Sequence, residues 1–179
     1  MHRKQKGLKL ILFFLLPVLL IGCDHATKVL AKEHLKDRAP KTWYHDTFRL
    51  EYAENTGAFL NFGDHWPATM SLILMSILPL LFLIFFFLYG LKKLSRHTII
   101  YLLPYILIFS GGLGNIADRI LNNRHVTDFM NLGIGDLRTG IFNVADLYVT
   151  IGVLLLVIQM RKQSALENAT VPSNAGGKE

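Results

Sequence analysis

The chain has 179 residues, of which 51% are hydrophobic and 18% charged, with one cysteine and a formal net charge of +6. Long uncharged blocks replace the amphipathic stripes of a soluble domain, so an ordinary globular fold is excluded. A single cysteine leaves neither an intrachain disulfide nor a Cys-rich zinc site. The basic residues gather at the ends of apolar runs, not in the patch that nucleic acid would require.

The N-terminus, HRKQKGLK, is basic and leads into an apolar stretch over 10–23. Continued as a helix through Asp24 and Lys28, it predicts a first span over about 8–30, with a kink at Pro17 that membrane helices tolerate. Leu20-Ile21-Gly22-Cys23 looks like a lipobox, so a secretory signal is the rival reading of this region. In the plainer reading Cys23 is a small apolar residue on a helix face. An outer segment follows over 31–67. Within it, Thr47 to Tyr52 alternates polar and apolar residues, the period of a strand. Trp43, Tyr44 and Trp66 suit the headgroup layer. A small sheet on the membrane surface is expected, with a turn at Asn55-Thr56-Gly57 and Ala58 to Phe62 leading toward the second span.

The second span is predicted over 70–91, with a kink at Pro79, and the third over 98–117, carrying Pro104 and then Gly111, Gly112 and Gly114. The fourth covers 144–160. Residues 1–163 then form one integral membrane domain, and 164–179 form a tail too polar to fold. The fold class is an all-α membrane protein of four transmembrane helices with a small extracytoplasmic sheet. HRKQKGLK, KKLSRH and Arg161-Lys162 flank the spans closely, which places both termini in the cytoplasm and the long segments outside.

Four aspartates, Asp118, Asp128, Asp136 and Asp146, lie between the third and fourth spans. Carboxylates at the mouths of membrane helices are costly to keep there. Asp128, in the extended Val126-Thr127-Asp128-Phe129, and Asp146, one turn into the fourth span, both belong at the outer interface. If an inward fold of the loop joins them, they share a proton, because two close carboxylates cannot both ionise easily. One then deprotonates a water while the other polarises a carbonyl, which is the chemistry of an aspartic protease.

Spacing alone leaves alternatives. Asp146 could cap the fourth helix or pair with Arg124, and Asp128 could make a surface ion pair. Asp24 and Lys28 stand four apart, the acid-first order of a helical ion pair. Asn115 and Asp118 share a helix face beside Arg119, as a polar cluster ending the third helix. Asn143 is on the same face as Asp146 or is the helix N-cap. The glycines fit helix packing. No nucleophile elbow or His-Glu-x-x-His is present, and the seven histidines are scattered, so neither metal nor cofactor is expected. A small cation or proton transporter, or a membrane scaffold, remains the non-catalytic alternative.

Five ordered pieces carry a resemblance: Asp24-His25-Ala26-Thr27-Lys28, Asn55-Thr56-Gly57-Ala58, Gly111 to Arg119, Val126 to Phe129 and Phe142 to Asp146. Together they resemble the bacterial lipoprotein signal peptidase family, or signal peptidase II. The resemblance implies a four-helix enzyme of the cytoplasmic membrane with an outer β-cradle; a monomer is the separate expectation. Its partners would be membrane lipids and its substrate, a diacylglyceryl-modified prolipoprotein, cut just before the lipid-bearing cysteine. It implies Asp128 and Asp146 as the catalytic pair. Asp24, Asn55, Asn115, Arg119 and Asn143 match positions around that pair, Asp118 matches a supporting position, and Lys28 and Gly57 lie within the matched motifs. Two departures stand out. Phe59-Leu60 follow Ala58 where the family often has another alanine, and Leu147 follows the second aspartate where a small hydroxyl residue is common.

Overall fold

The computed structural model describes residues 2–57, 63 and 66–170. In chain order it comprises α1 (His2–Leu35), β1 (Lys41–Trp43), β2 (Phe48–Asn55), α2 (Ala68–Leu72), a π-helical turn (Ile73–Ile77), α3 (Leu78–Lys93), α4 (Ile99–Leu121), β3 (Val126–Ile134), β4 (Leu137–Arg138) and α5 (Val144–Thr170). Four helical stretches are long and apolar enough to cross a membrane: Lys6–Leu35, Ala68–Lys93, Ile99–Leu121 and Val144–Leu166. The helix surfaces are apolar: Ile11, Val18, Phe82, Phe85 and Leu154 are exposed, whereas Asp24, Lys28, Asp128 and Asn143 are buried. That inversion is what a lipid solvent selects, since apolar side chains lose nothing facing acyl chains and polar ones must find protein partners.

α4 is the axis. More than half of its apolar window is buried (56%), against 11–22% for the other three spans. Glycines let its neighbours approach. A Cβ on Gly111 would stand 2.2 Å from the Ala145 carbonyl oxygen, and one on Gly152 would stand 2.7 Å from Ile108 Cγ1. Small residues at such crossings supply the close packing that holds membrane helices together. Phe13, Leu94, Leu102, Tyr105 and Ile106 fill the core at one end of the bundle.

The kink expected at Pro79 takes the form of the π-turn just before it. Proline has no N–H to donate to the carbonyl four residues back, and its ring crowds that carbonyl, so the helix widens over the preceding turn. Helix boundaries also differ from expectation. α1 continues to Leu35 and α4 to Leu121, because their polar turns find partners within the protein. α5 runs to Thr170, so 164–170 is helical rather than part of a disordered tail. Gln163, Ala165, Leu166 and Glu167 are strong helix formers that propagate an existing helix. Residues 171–179, and the 58–62 approach to the second span, lie outside the described residues.

The sheet has four antiparallel strands in the order β1-β2-β3-β4. β2 forms where alternation was read, but its larger partner is β3, from the stretch after α4. Ala53 stands opposite Asp128 and Asn55 opposite Val126, beyond an irregularity between Leu50 and Ala53. This pairing brings the outer segment over the third and fourth spans. The sheet packs on the end of α1 through Ala31, Leu35 and Phe129.

Candidate active site

The site is built on the first turn of α5. Asn143 is its N-cap: Asn143 Oδ1 accepts from the Asp146 amide at 3.0 Å, while Asp146 Oδ2 accepts from the Asn143 amide at 3.0 Å. This reciprocal arrangement is a capping box, which satisfies backbone donors that a helix start leaves open. The next donor is satisfied from another helix, since Asp24 Oδ1 on α1 accepts from the Ala145 amide at 2.8 Å. Asp146 therefore caps its own helix, and its other oxygen takes a 2.7 Å bond from Asn115 Nδ2 rather than pairing with Arg124.

Lys28 is the hub beneath this turn. Its ammonium lies 2.8 Å from Asp24 Oδ2 and 2.8 Å from Asp118 Oδ2, and donates to Asn115 Oδ1 at 3.0 Å. The expected i,i+4 pair with Asp24 is present, and Asp118 joins it. All three ionic side chains are at least nine-tenths buried. A lone charge at this depth would be prohibitive; three charges sharing short contacts offset much of the desolvation cost. Gly114 makes the room: a Cβ there would approach Asp24 Oδ2 to 2.8 Å.

Asp128 arrives from β3. Its Oδ1 accepts from Asn143 Nδ2 at 2.7 Å and its Oδ2 from Asn55 Nδ2 at 3.1 Å. Asn143 Nδ2 also reaches Asn115 Oδ1 at 3.1 Å and the Thr127 carbonyl at 3.3 Å. One asparagine thus links both aspartates, bonding Asp128 through its NH2 and the Asp146 turn through its carbonyl. Burial, reinforced by the nearby Asp146 charge, pushes the Asp128 carboxyl from 3.8 up to about 6, and the two asparagine donors hold it from rising further. The Asp128 carboxyl therefore keeps its proton to higher pH than an ordinary carboxylate.

Asn55, Asn115, Arg119, Asp128 and Asp146 all line one cavity of about 670 Å³. Arg119 Nη2 donates to the Gly57 carbonyl at 2.7 Å and Nη1 to the Asn115 carbonyl at 3.4 Å, while its buried Nε has no hydrogen-bond partner among the described residues. Away from the acids the cavity turns apolar, with Phe82, Leu83, Ile108 and Val149 on its walls. Leu147, the second of the two departures, is one of the lining residues, whereas Phe59 and Leu60 lie outside the described residues.

Every site residue singled out from the sequence belongs to this one assembly. The Thr127 carbonyl and the Ala145 amide were missed, and as backbone groups they leave no mark in residue identity. Asp136, by contrast, is exposed in the β3–β4 turn. The lipobox-like Leu20–Cys23 sits inside unbroken helix α1, with Cys23 exposed and the next residue, Asp24, tied to α5.

Comparisons with known proteins identify the family of the chain. Residues 16–162 match the family model described as Signal peptidase (SPase) II. A lipoprotein signal peptidase of Pelodictyon phaeoclathratiforme is 36% identical over 172 residues, covering 89% of this chain and 95% of that protein. One from Borrelia turicatae is 33% identical over 155 residues, covering 84% and 89%. A solved bacterial membrane enzyme superposes with a TM-score of 0.69 at 27% identity, covering 93% of each chain. A family model matched over most of the chain and relatives more than 30% identical along nearly their whole length mean that this chain belongs to the signal peptidase II family.

Proposed function

We propose that this protein is an aspartic endopeptidase that removes the signal peptide from diacylglyceryl-modified prolipoproteins, cutting just before the lipid-bearing cysteine, with Asp128 and Asp146 as the reacting acids. The observation that carries this reading is the network in which Asn143 and Asn115 join the two aspartates at the polar end of a cavity that is apolar beyond them. A lipidated cysteine has the same division: acyl chains that belong in hydrocarbon and a peptide bond at the interface.

In the proposed mechanism Asp146 carries the charge and Asp128 the proton. Asp146 sits in the first turn of α5, where the helix dipole favours an anion, and accepts hydrogen bonds on both oxygens. It takes a proton from water as the oxygen attacks the scissile carbonyl, and Asp128 gives its proton to the carbonyl oxygen. As the C–N bond breaks, Asp146 protonates the departing amine and Asp128 recovers a proton from the diol, restoring the starting state. Arg119 and Asn55 line the same cavity and would hold the carbonyl oxygen as charge grows on it. The basic clusters at 3–9, 92–96 and 161–162 support cytoplasmic termini and an outward-facing site.

The test uses purified full-length protein in phospholipid vesicles and a diacylglyceryl-modified prolipoprotein followed by mass spectrometry. Asp128→Asn and Asp146→Asn should each lower cleavage on the order of 10³-fold or more while the protein still folds. Cleavage at the parental rate by either variant would remove the proposal.

A further inference from the structure

We propose that Lys28 is a positioning residue for the pair of aspartates: its ammonium fixes the Asn115 amide so that the amide's NH2 donates to Asp146. This rests on the reading that Asp128 and Asp146 react.

An ammonium has three donors and no acceptor, so only the carbonyl side of an amide can face it. Lys28 uses its donors on Asp24, Asp118 and Asn115 Oδ1, at 2.8, 2.8 and 3.0 Å. Asn115 Oδ1 also accepts from Asn143, and Asn115 Nδ2 is left to donate to Asp146 Oδ1 at 2.7 Å. Turning the amide over would set its NH2 against Lys28 and Asn143, and its oxygen against the Asp146 carboxylate. Three attractive contacts would become three repulsive ones.

Asn143 cannot do this work unaided. Its NH2 reaches three acceptors, Asp128 Oδ1, Asn115 Oδ1 and the Thr127 carbonyl, with only two hydrogens. Its closest partner, Asp128, changes charge during the proposed reaction. The Lys28–Asn115 bond touches neither reacting group, so it holds through the cycle. The charges facing this point are Asp24 from α1, Asp118 and Arg119 from α4, Asp128 from β3 and Asp146 from α5. Without Lys28 the set loses a cation and the Asp146 carboxylate loses an oriented donor. Both changes disfavour the ionised carboxylate.

A bolt that merely joins α1 to α4 would have different consequences, and kinetics separate the two. With the full-length enzyme in vesicles, Lys28→Met should lower kcat on the order of 10²-fold with KM little changed, and should move the acid limb of the pH–rate profile to higher pH. Asp118→Asn, which keeps the Lys28–Asn115 bond and removes a negative charge, should move that limb the other way. Asn115→Leu should itself lower kcat, and adding Lys28→Met to it should cost nothing more, since the two act through one bond. Losses that multiply in the double variant, or a folded Lys28→Met with parental kcat and acid limb, would overturn the proposal. Where Lys28→Met does not fold, Lys28→Arg takes its place in the same cycle, because it keeps a cation between the two acids. Its kcat loss should vanish in the Asn115→Leu background, and an equal loss in both backgrounds is the contrary result. Asp146→Asn, assayed alongside, separates the failures: cleavage retained there defeats the reading of the pair, whatever Lys28 does.

Discussion

Near the end of α1 that carries Phe13, rings and aliphatic chains seal the bundle. Phe13 lies 4.6 Å from Phe87, and Tyr105 lies 4.8 Å from Phe86. About 16 to 22 Å further along the same helix, Asp24 and Lys28 are just as deeply buried, among acids, amides and backbone N–H groups. The first region needs only matching shapes, and similar apolar side chains could replace one another there at modest cost. The second is far less forgiving of exchange, because each group completes the hydrogen bonding of another. Packing stability and chemical function are thus separated along the same two helices, α1 and α4.

The sharpest way to break this contrast is to empty the apolar end. Phe13→Ala should cost about 3–5 kcal/mol of stability while leaving turnover per folded molecule unchanged, as thermal unfolding and active-site titration would show. A fall in turnover would mean the two ends are coupled. At the polar end, stability itself should depend on pH. The folded Asp128 binds its proton up to about 6, against 3.8 for the free group, so the parent loses stability as pH rises between those values. Asp128→Asn lacks that loss. Between pH 4 and pH 7 the variant should therefore gain up to about 3 kcal/mol relative to the parent, and comparing the two pH values cancels any hydrogen bond changed at both.

Where the two regions meet, Gly111→Ala drives a methyl into the Ala145 carbonyl and displaces the turn carrying Asp146. A shift of about 1 Å at a reacting group costs roughly 10²-fold in rate. Gly152→Ala, which meets Ile108 and the Pro104 carbonyl farther down the helix pair, should lower the unfolding temperature with a smaller effect on rate. Equal kinetic damage from both would blur the boundary. The smallest effect belongs to the exposed pair Lys36–Glu54 at 3.2 Å, where Glu54→Gln should change stability by about 0.5 kcal/mol and lose even that at high salt.

Much of this was legible in residue order. Uncharged runs marked four spans because hydrocarbon admits only helices of that length, and the Asp24–Lys28 pair declared itself by helical spacing. Asn143 and Asp146 were readable together because the capping box is a local motif. What could not be read is non-local. No periodicity announces that β3 pairs with β2, since strand pairing depends on which segment the helices carry alongside it. Nor does any spacing connect Lys28 with Asp118, or Asp24 with the Ala145 amide, across 121 positions of chain.

By itself, the sequence determined the solvent of this protein, the number of its spans and the identity of its polar residues, because burial of charge in lipid is costly wherever it occurs. Only the tertiary structure decided that Asp128 and Asp146 share one network, that Lys28 meets the Asn115 amide, and that Asp24 completes another helix's first turn. Hydrogen bonds are directional and short, so they depend on helix crossings and strand register measured in tenths of an ångström, which spacing along the chain does not encode.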